Sequence, residues 1–207
     1  FASSSSVYGR NERTPYSESD NTDYPFSIYA ATKKSNELMG HVYSEMYGMK
    51  ITALRFFTVF GPWGRPDMLY FMAVKNILEN KPIMIFNNGN MKRDFTYIDD
   101  IISGIRLMIE EFDKSRIRLF EVYNLGNSNS QKLLDFIRLL EDVTGKKAIL
   151  EFTGMQSGDV LETFADVRKM NGDYGFKPTT DLKGGIKEFY NWYCEYYGIN
   201  GGEVHGV

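Results

Sequence analysis

Apolar and polar positions along the chain follow two different periods. Leu38, Val42 and Met46 recur at a spacing of four, which predicts a helix over 28–47, capped by Ser27 and ended by Gly48. Ile51 to Phe57 is short and apolar without clean alternation, the pattern of a buried strand. Leu69, Met72, Ala73 and Ile77 share one side of a helix over 67–80. Pro82 to Phe86 follows as a strand, closed by the turn Asn87-Asn88-Gly89-Asn90. Arg93 to Tyr97 reads as a short extended piece and 99–111 as a helix. A strand over 121–125 ends at Gly126, Ser130 caps a helix reaching about 143, and 148–152 is a further strand. A short helix is expected over 166–174, and Ile186, Phe189, Tyr190 and Tyr193 line one face of a last helix over 182–197. Residues 1–9 read as a strand end running into a loop. Residues 10–27 and 61–66 read as loops from their Pro, Gly, Ser, Asp and Asn content, and 201–207 should fray. Strands alternating with helices predict an α/β architecture with a parallel sheet.

Composition narrows the class. The chain has 207 residues and 43% hydrophobic content, enough for a packed core and too much for a disordered chain. A net charge of -3, with acidic and basic residues mixed throughout, gives no footprint for nucleic acid or for an anionic membrane. No apolar run approaches the ~20 residues of a membrane span. A single cysteine, Cys194, rules out an intrachain disulfide and fits a reducing cytoplasm. No metal is expected. The start, Phe1-Ala2 and then four serines, reads as the end of a strand whose beginning lies upstream in a longer gene product.

Tyr29-Ala30-Ala31-Thr32-Lys33 places a phenol and an ammonium four residues apart, on one face of the predicted helix. A free phenol is a poor base near neutrality, and a neighbouring cation favours its phenolate form. A base tuned in this way can take a proton from a sugar hydroxyl while hydride leaves the same carbon. The same spacing is common on merely solvated helix faces. The serine run before Val7-Tyr8-Gly9 likewise reads either as a polar loop or as a hydroxyl at a strand end, set to hydrogen-bond the substrate oxygen beside the tyrosine.

Order and spacing favour the chemical readings. The serine strand end comes first, then Tyr-x-x-x-Lys, then Leu54-Arg55-Phe56-Phe57-Thr58-Val59-Phe60-Gly61-Pro62. Arg93-Asp94-Phe95, Val122-Tyr123-Asn124-Leu125-Gly126 and Gly158-Asp159-Val160 follow. From Phe1 to about Tyr197 the chain resembles the NAD-dependent epimerase/dehydratase family, the extended short-chain dehydrogenases that process nucleotide sugars. The resemblance implies a partial Rossmann-like parallel sheet plus a smaller α/β substrate-binding subdomain. Residues 1–60 would be the C-terminal part of the NAD-binding domain. Residues 61–200 would be mostly the nucleotide-sugar subdomain, with about 95–126 returning to the Rossmann sheet and 201–207 a flexible tail. Tyr29 would be the catalytic base and acid, Lys33 its partner and a ribose ligand, and Ser4 the catalytic hydroxyl, with Ser5 beside it at the substrate. Phe57 would lie near the nicotinamide, Phe86 on the uracil, and Arg93 at the diphosphate, where its fixed fork of donors suits phosphate. Phe57 and Phe86 also read as core aromatics, and Arg93 beside Asp94 as a surface ion pair.

Within the family, dehydratases carry Thr-Asp-Glu at this strand end and decarboxylating members a Glu directly before the Val. Here those places hold Ser4, Ser5 and Ser6, a neutral site that fits reversible oxidation at C4. Thr58-Val59-Phe60-Gly61-Pro62-Trp63-Gly64-Arg65-Pro66-Asp67-Met68 is similar to the UDP-glucuronate 4-epimerases, in which a threonine and an arginine seven residues later contact the sugar carboxylate. Thr58 and Arg65 have that spacing. Gln156 and Asp159, in Met155-Gln156-Ser157-Gly158-Asp159, join them as substrate residues, although Ser157 stands where proline is typical. The implied reaction is C4 epimerisation of UDP-glucuronate to UDP-galacturonate through a 4-keto sugar, with NAD retained. The alternatives are UDP-glucose/galactose or another UDP-sugar as substrate, or a catalytically inactive UDP-sugar-binding fragment. The glycine-rich dinucleotide loop of the family is absent from 1–207, so this chain alone should bind NAD poorly. The helix over 28–47 resembles one that forms the family's dimer bundle, which implies a homodimer.

Overall fold

The computed structural model describes residues 1–111, 119–155 and 158–199. Their secondary structure is eight strands and six helices, and the chain divides into two compact units. The first unit comprises Phe1–Val59, Asp94–Ser130 and Glu162–Thr179, and the second Phe60–Arg93, Gln131–Leu161 and the chain from Thr180. Strands β3 (Thr58–Phe60), β5 (Lys92–Tyr97) and β7 (Ser130–Lys132) each span a point where the chain passes from one unit to the other.

The first unit is built on a parallel sheet in the order β1 (Ala2–Ser4), β2 (Ile51–Phe56), β6 (Phe120–Leu125). Register places Ser3 opposite Arg55 and Ser4 opposite Phe56 on one side of β2, and Phe56 opposite Leu125 on the other. Helices α1 (Ile28–Tyr47), α3 (Ile98–Glu110) and α5 (Arg168–Tyr174) belong to this unit. Leu54, Tyr123 and Leu125 of the sheet pack with Ile101, Met108, Met170 and Phe176 into one core cluster. Val7, Tyr8, Tyr16, Phe57 and Ala165 form a second.

Helix α1 is fixed at both ends by local chemistry. The Ser27 side chain accepts from Ala30 N, and Gly48 takes the left-handed conformation at φ 64° that ends it. Its orientation is the reverse of an ordinary amphipathic helix. Ala30, Glu37 and Ser44, seven residues apart, are buried, while the apolar stripe Leu38, Val42 and Met46 that betrays the helix in the sequence is exposed.

In the second unit, β4 (Pro82–Ile85) and β8 (Ile149–Phe152) pair in parallel. Helix α2 (Leu69–Leu78) packs on α4 (Leu133–Thr144), and α4 on α6 (Leu182–Tyr197). The expected face of α6 is buried at Ile186, Phe189 and Tyr193, with Tyr190 half-buried. Two sequence expectations shift. Ser130 opens β7 instead of capping α4, which starts at Leu133 after an extended segment; Leu133 N donates to the Met91 carbonyl at 2.9 Å. Phe86 leaves the strand and begins a 3-10 segment in which Asn87 and Asn88 both sit at φ 50°. Asparagine tolerates that region, and their N–H groups reach the carbonyls of Gly154 and Thr153.

Candidate functional site

The first unit holds the candidate acid–base groups. β1 ends at Ser4, which caps a 3-10 segment over Ser5–Tyr8: its Oγ accepts from Ser6 N at 3.1 Å and donates to Ser6 Oγ at 3.1 Å. Gly9 closes this loop at φ 59°, where a Cβ would lie 2.3 Å from the Tyr24 carbonyl oxygen, so only glycine fits. Ser4 is buried and Ser5 half-buried. Tyr29 lies in the first turn of α1 and stays 53% exposed. Lys33 follows one turn later, its Nζ 5.8 Å from the centre of the Tyr29 ring and donating to the Ala2 carbonyl at 3.0 Å. The lysine thus ties the phenol-bearing turn to the strand that ends in Ser4. Thr58, in β3, is half-buried. Phe57 is a core residue. It is 5% exposed, its ring lies 6.4 Å from Tyr8 and 6.5 Å from Tyr16, and a Cβ on Gly126 would press on it. The ring is therefore part of the first unit's core, packed with Tyr8 and Tyr16.

The second unit holds most of the candidate substrate contacts. Arg65 projects from the 61–66 loop, 73% exposed at its side chain, with Nε 3.2 Å from Asp67 and a terminal nitrogen 3.5 Å from the Met68 sulfur. Trp63 in the same loop holds φ 60°, an unfavourable value for a bulky residue, with its ring 5.3 Å from Trp192 and 5.5 Å from Tyr196. Gly64 has no room for a side chain, because the Tyr70 hydroxyl fills the place a Cβ would take. Phe86 is half-buried at the start of its 3-10 segment. Arg93 and Asp159 come together, with Arg93 Nη2 3.7 Å from Asp159 Oδ1 and Nη1 donating to the Lys92 carbonyl. Gln156 lies outside the described residues.

Asp94 does not pair with Arg93. Its carboxylate is buried in the first unit and accepts backbone N–H bonds from Asn127 at 2.8 Å and Ala165 at 2.9 Å. Burial pushes that carboxyl up, against the pull of these donors.

A buried polar network that no motif announces lies behind the serine strand. Glu37 of α1 takes two bonds from Arg55 of β2, Nε to Oε1 and Nη2 to Oε2, both at 2.8 Å, and one from Ser3 Oγ at 2.6 Å. Both side chains are 4% exposed. Burial pushes Glu37 up, but the bonds from Arg55 and Ser3 outweigh it and hold the carboxyl below its usual value. The signal was present in the sequence: an arginine inside an otherwise apolar strand, and a glutamate one turn beyond Lys33.

Parallel strands with helices between them give a Rossmann-like α/β fold, in which Lys33, one turn from Tyr29 on α1, bonds to the strand that ends in Ser4. The chain belongs to the NAD dependent epimerase/dehydratase family, whose sequence profile matches residues 1–126. An uncharacterised protein of Methanocaldococcus jannaschii is 52% identical over 196 residues, covering 94% of this chain and 58% of that protein. UDP-glucuronate 4-epimerase 1 of Arabidopsis thaliana is 46% identical over 214 residues, covering 97% of this chain and 49% of that enzyme. Among solved structures, UDP-glucuronic acid 4-epimerase of Bacillus cereus, in complex with UDP-glucuronic acid and NAD, superposes with a TM-score of 0.87 at 37% identity. That match covers 95% of this chain and 61% of the other. The chain therefore spans about half to three-fifths of the length of these relatives. Among the described residues, no helix is long and apolar enough to cross a membrane, and no group of three or more His, Cys, Asp or Glu could hold a metal.

Proposed function

We propose that the full-length gene product is an NAD-dependent UDP-sugar 4-epimerase acting on UDP-glucuronate, and that this chain supplies its acid–base residues and much of its sugar-nucleotide contact. The observation that carries the reading is the junction of Ser4, Tyr29 and Lys33, with the lysine bonded to the strand that bears the serine. The Arabidopsis and Bacillus cereus relatives are named for this reaction, and the latter holds both UDP-glucuronic acid and NAD. The half-exposed Tyr29 and the adjacent ammonium of Lys33 fit a nicotinamide ribose, with Phe57 behind the nicotinamide as part of the core wall. When bound, NAD supplies reversible hydride acceptance at C4.

Tyr29 removes the C4 hydroxyl proton and later returns it, Lys33 holds the ribose beside it, and Ser4 steadies the same oxygen once its hydroxyl turns from Ser6. Arg65 holds the sugar carboxylate, a planar group that suits the bidentate fork of arginine, and Thr58 is a further substrate residue. Arg93, oriented by Asp159, pairs with the diphosphate, and Phe86 packs on the uracil. Two copies associate through the exposed apolar face of α1.

Replacement of Tyr29 by Phe in the full-length product should lower turnover by roughly 10²–10⁴-fold while UDP binding by calorimetry is retained. Wild-type turnover in that variant overturns the assignment.

A further inference from the structure

We infer that Glu37 and Arg55 are positioning residues for the acid–base groups, clamping the strand end that carries Ser4 to the helix that carries Tyr29 and Lys33. The inference rests on the proposed roles of those three residues. Tyr29, Lys33 and Glu37 follow at successive turns of α1, so all three move with one stretch of helix. Ser3 and Arg55 face each other across the β1–β2 pair, and both bond to the Glu37 carboxylate. The clamp extends further. The Arg55 guanidinium lies 4.8 Å from the centre of the Tyr8 ring, and the Tyr8 hydroxyl donates to Asn124 of β6 at 2.6 Å. Ser4, Ser5 and Ser6 are thereby held between Ser3 on one side and Tyr8 on the other, each anchored to the same network.

A buried ion pair is a poor way to gain stability, since apolar residues of similar volume often do as well or better. What the pair supplies is direction. Its three bonds fix one register of helix against strand, where an apolar contact allows sliding. Acid–base chemistry is sensitive to displacements of about 1 Å, which cost on the order of 100-fold in rate. One nitrogen, Arg55 Nη1, is buried without a hydrogen-bond partner, a cost consistent with geometry being favoured over stability here.

The test is the double substitution Glu37→Leu with Arg55→Met in the full-length product, which removes both charges together and leaves neither buried alone. Positioning predicts cooperative unfolding within a few degrees of wild type, kcat lowered at least about tenfold, and KM for the UDP-sugar changed by less than about threefold. It also predicts faster amide exchange at 4–6 and 29–33, with 182–197 unchanged. Wild-type kcat and exchange in the double variant overturn the inference, as does uniform acceleration of exchange through the first unit, the mark of a purely structural pair. Should that variant fail to fold, Ser3→Ala decides. Removal of one bond to Glu37 should lower kcat about two- to fivefold while the melting temperature falls by no more than about 10 °C and the variant stays folded, and an unchanged kcat overturns the clamp. A wild-type protein that turns over no UDP-sugar overturns the proposed reaction, and the exchange pattern then decides the clamp by itself.

Discussion

Arg65 is paired with Asp67 at 3.2 Å, but both side chains are largely exposed, and such pairs contribute only about 0–1 kcal/mol. On the proposed reading a substrate carboxylate accepting two parallel bonds would offer about 1.5–3 kcal/mol and displace that partner. Arg65→Ala should therefore reduce the preference for UDP-glucuronate over UDP-glucose by roughly 10- to 150-fold, measured as the ratio of kcat/KM values, with UDP binding kept. Equal handling of the two sugars by the wild type would make Arg65 a bystander. The backbone under Arg65 is unusual. Trp63 holds a positive φ with its ring against Trp192 and Tyr196, and Gly64 leaves room for the Tyr70 hydroxyl. Trp63→Gly should relieve the backbone strain yet loosen the loop, raising KM for UDP-glucuronate more than kcat falls. The Thr58–Arg65 spacing was legible in the sequence. The aromatic anchoring was not, because Trp63 lies more than a hundred positions from Trp192 and Tyr196 along the chain.

Helix α1 inverts the usual reading of an amphipathic pattern. Periodicity located the helix and both its ends, but it could not say which side faces the sheet. The sheet side is taken by Ala30, Glu37 and Ser44, and the apolar positions Leu38, Met39, Val42, Tyr43 and Met46 are left exposed. A run of exposed apolar side chains along one helix marks an association surface. Val42→Glu with Met46→Glu should shift the full-length product from dimer to monomer in sedimentation or light scattering, with the far-ultraviolet circular dichroism unchanged, since neither residue packs in the core. A wild type that is monomeric at working concentrations would remove the dimer from the proposal.

For the molecule as a whole, titration links the buried network to stability. Glu37 has a folded-state pKa below its ordinary 4.5, and Asp166, held chiefly by Arg168, lies below 3.8. Above those ordinary values both carboxylates are ionised in folded and unfolded chains, and their stabilisation is complete. As the pH falls below them, the unfolded chain takes up protons first and the stabilisation is lost through the lower folded values. Asp94 and Glu18, raised mainly by burial, act in the opposite sense and lose stability as the pH rises through their shifted values. Acid titration of unfolding should show a loss of stability below about pH 4.5 that is shallower in Glu37→Gln, whose side chain does not titrate; identical slopes would remove Glu37 from the acid transition.

Periods along the chain were enough for the alternation of helices and strands, for most element bounds to within a few residues, and for the parallel α/β class, because these depend on near neighbours and on turn chemistry. The short motifs were enough for the family, since Tyr-x-x-x-Lys and the serine run carry their chemistry in residue type and spacing. Three-dimensional packing alone decided the rest. Phe57 is an enclosed core ring because residues more than a hundred positions apart close around it, at Tyr8 and Gly126. Asp94 turns from its neighbour Arg93 to backbone donors at Asn127 and Ala165, and Arg93 meets Asp159 instead. Glu37, Arg55 and Ser3 become one cluster only when β1, β2 and α1 come together. Local sequence sets period and capping, whereas the partner of a buried charge depends on which strands lie side by side, and that is a property of the folded sheet.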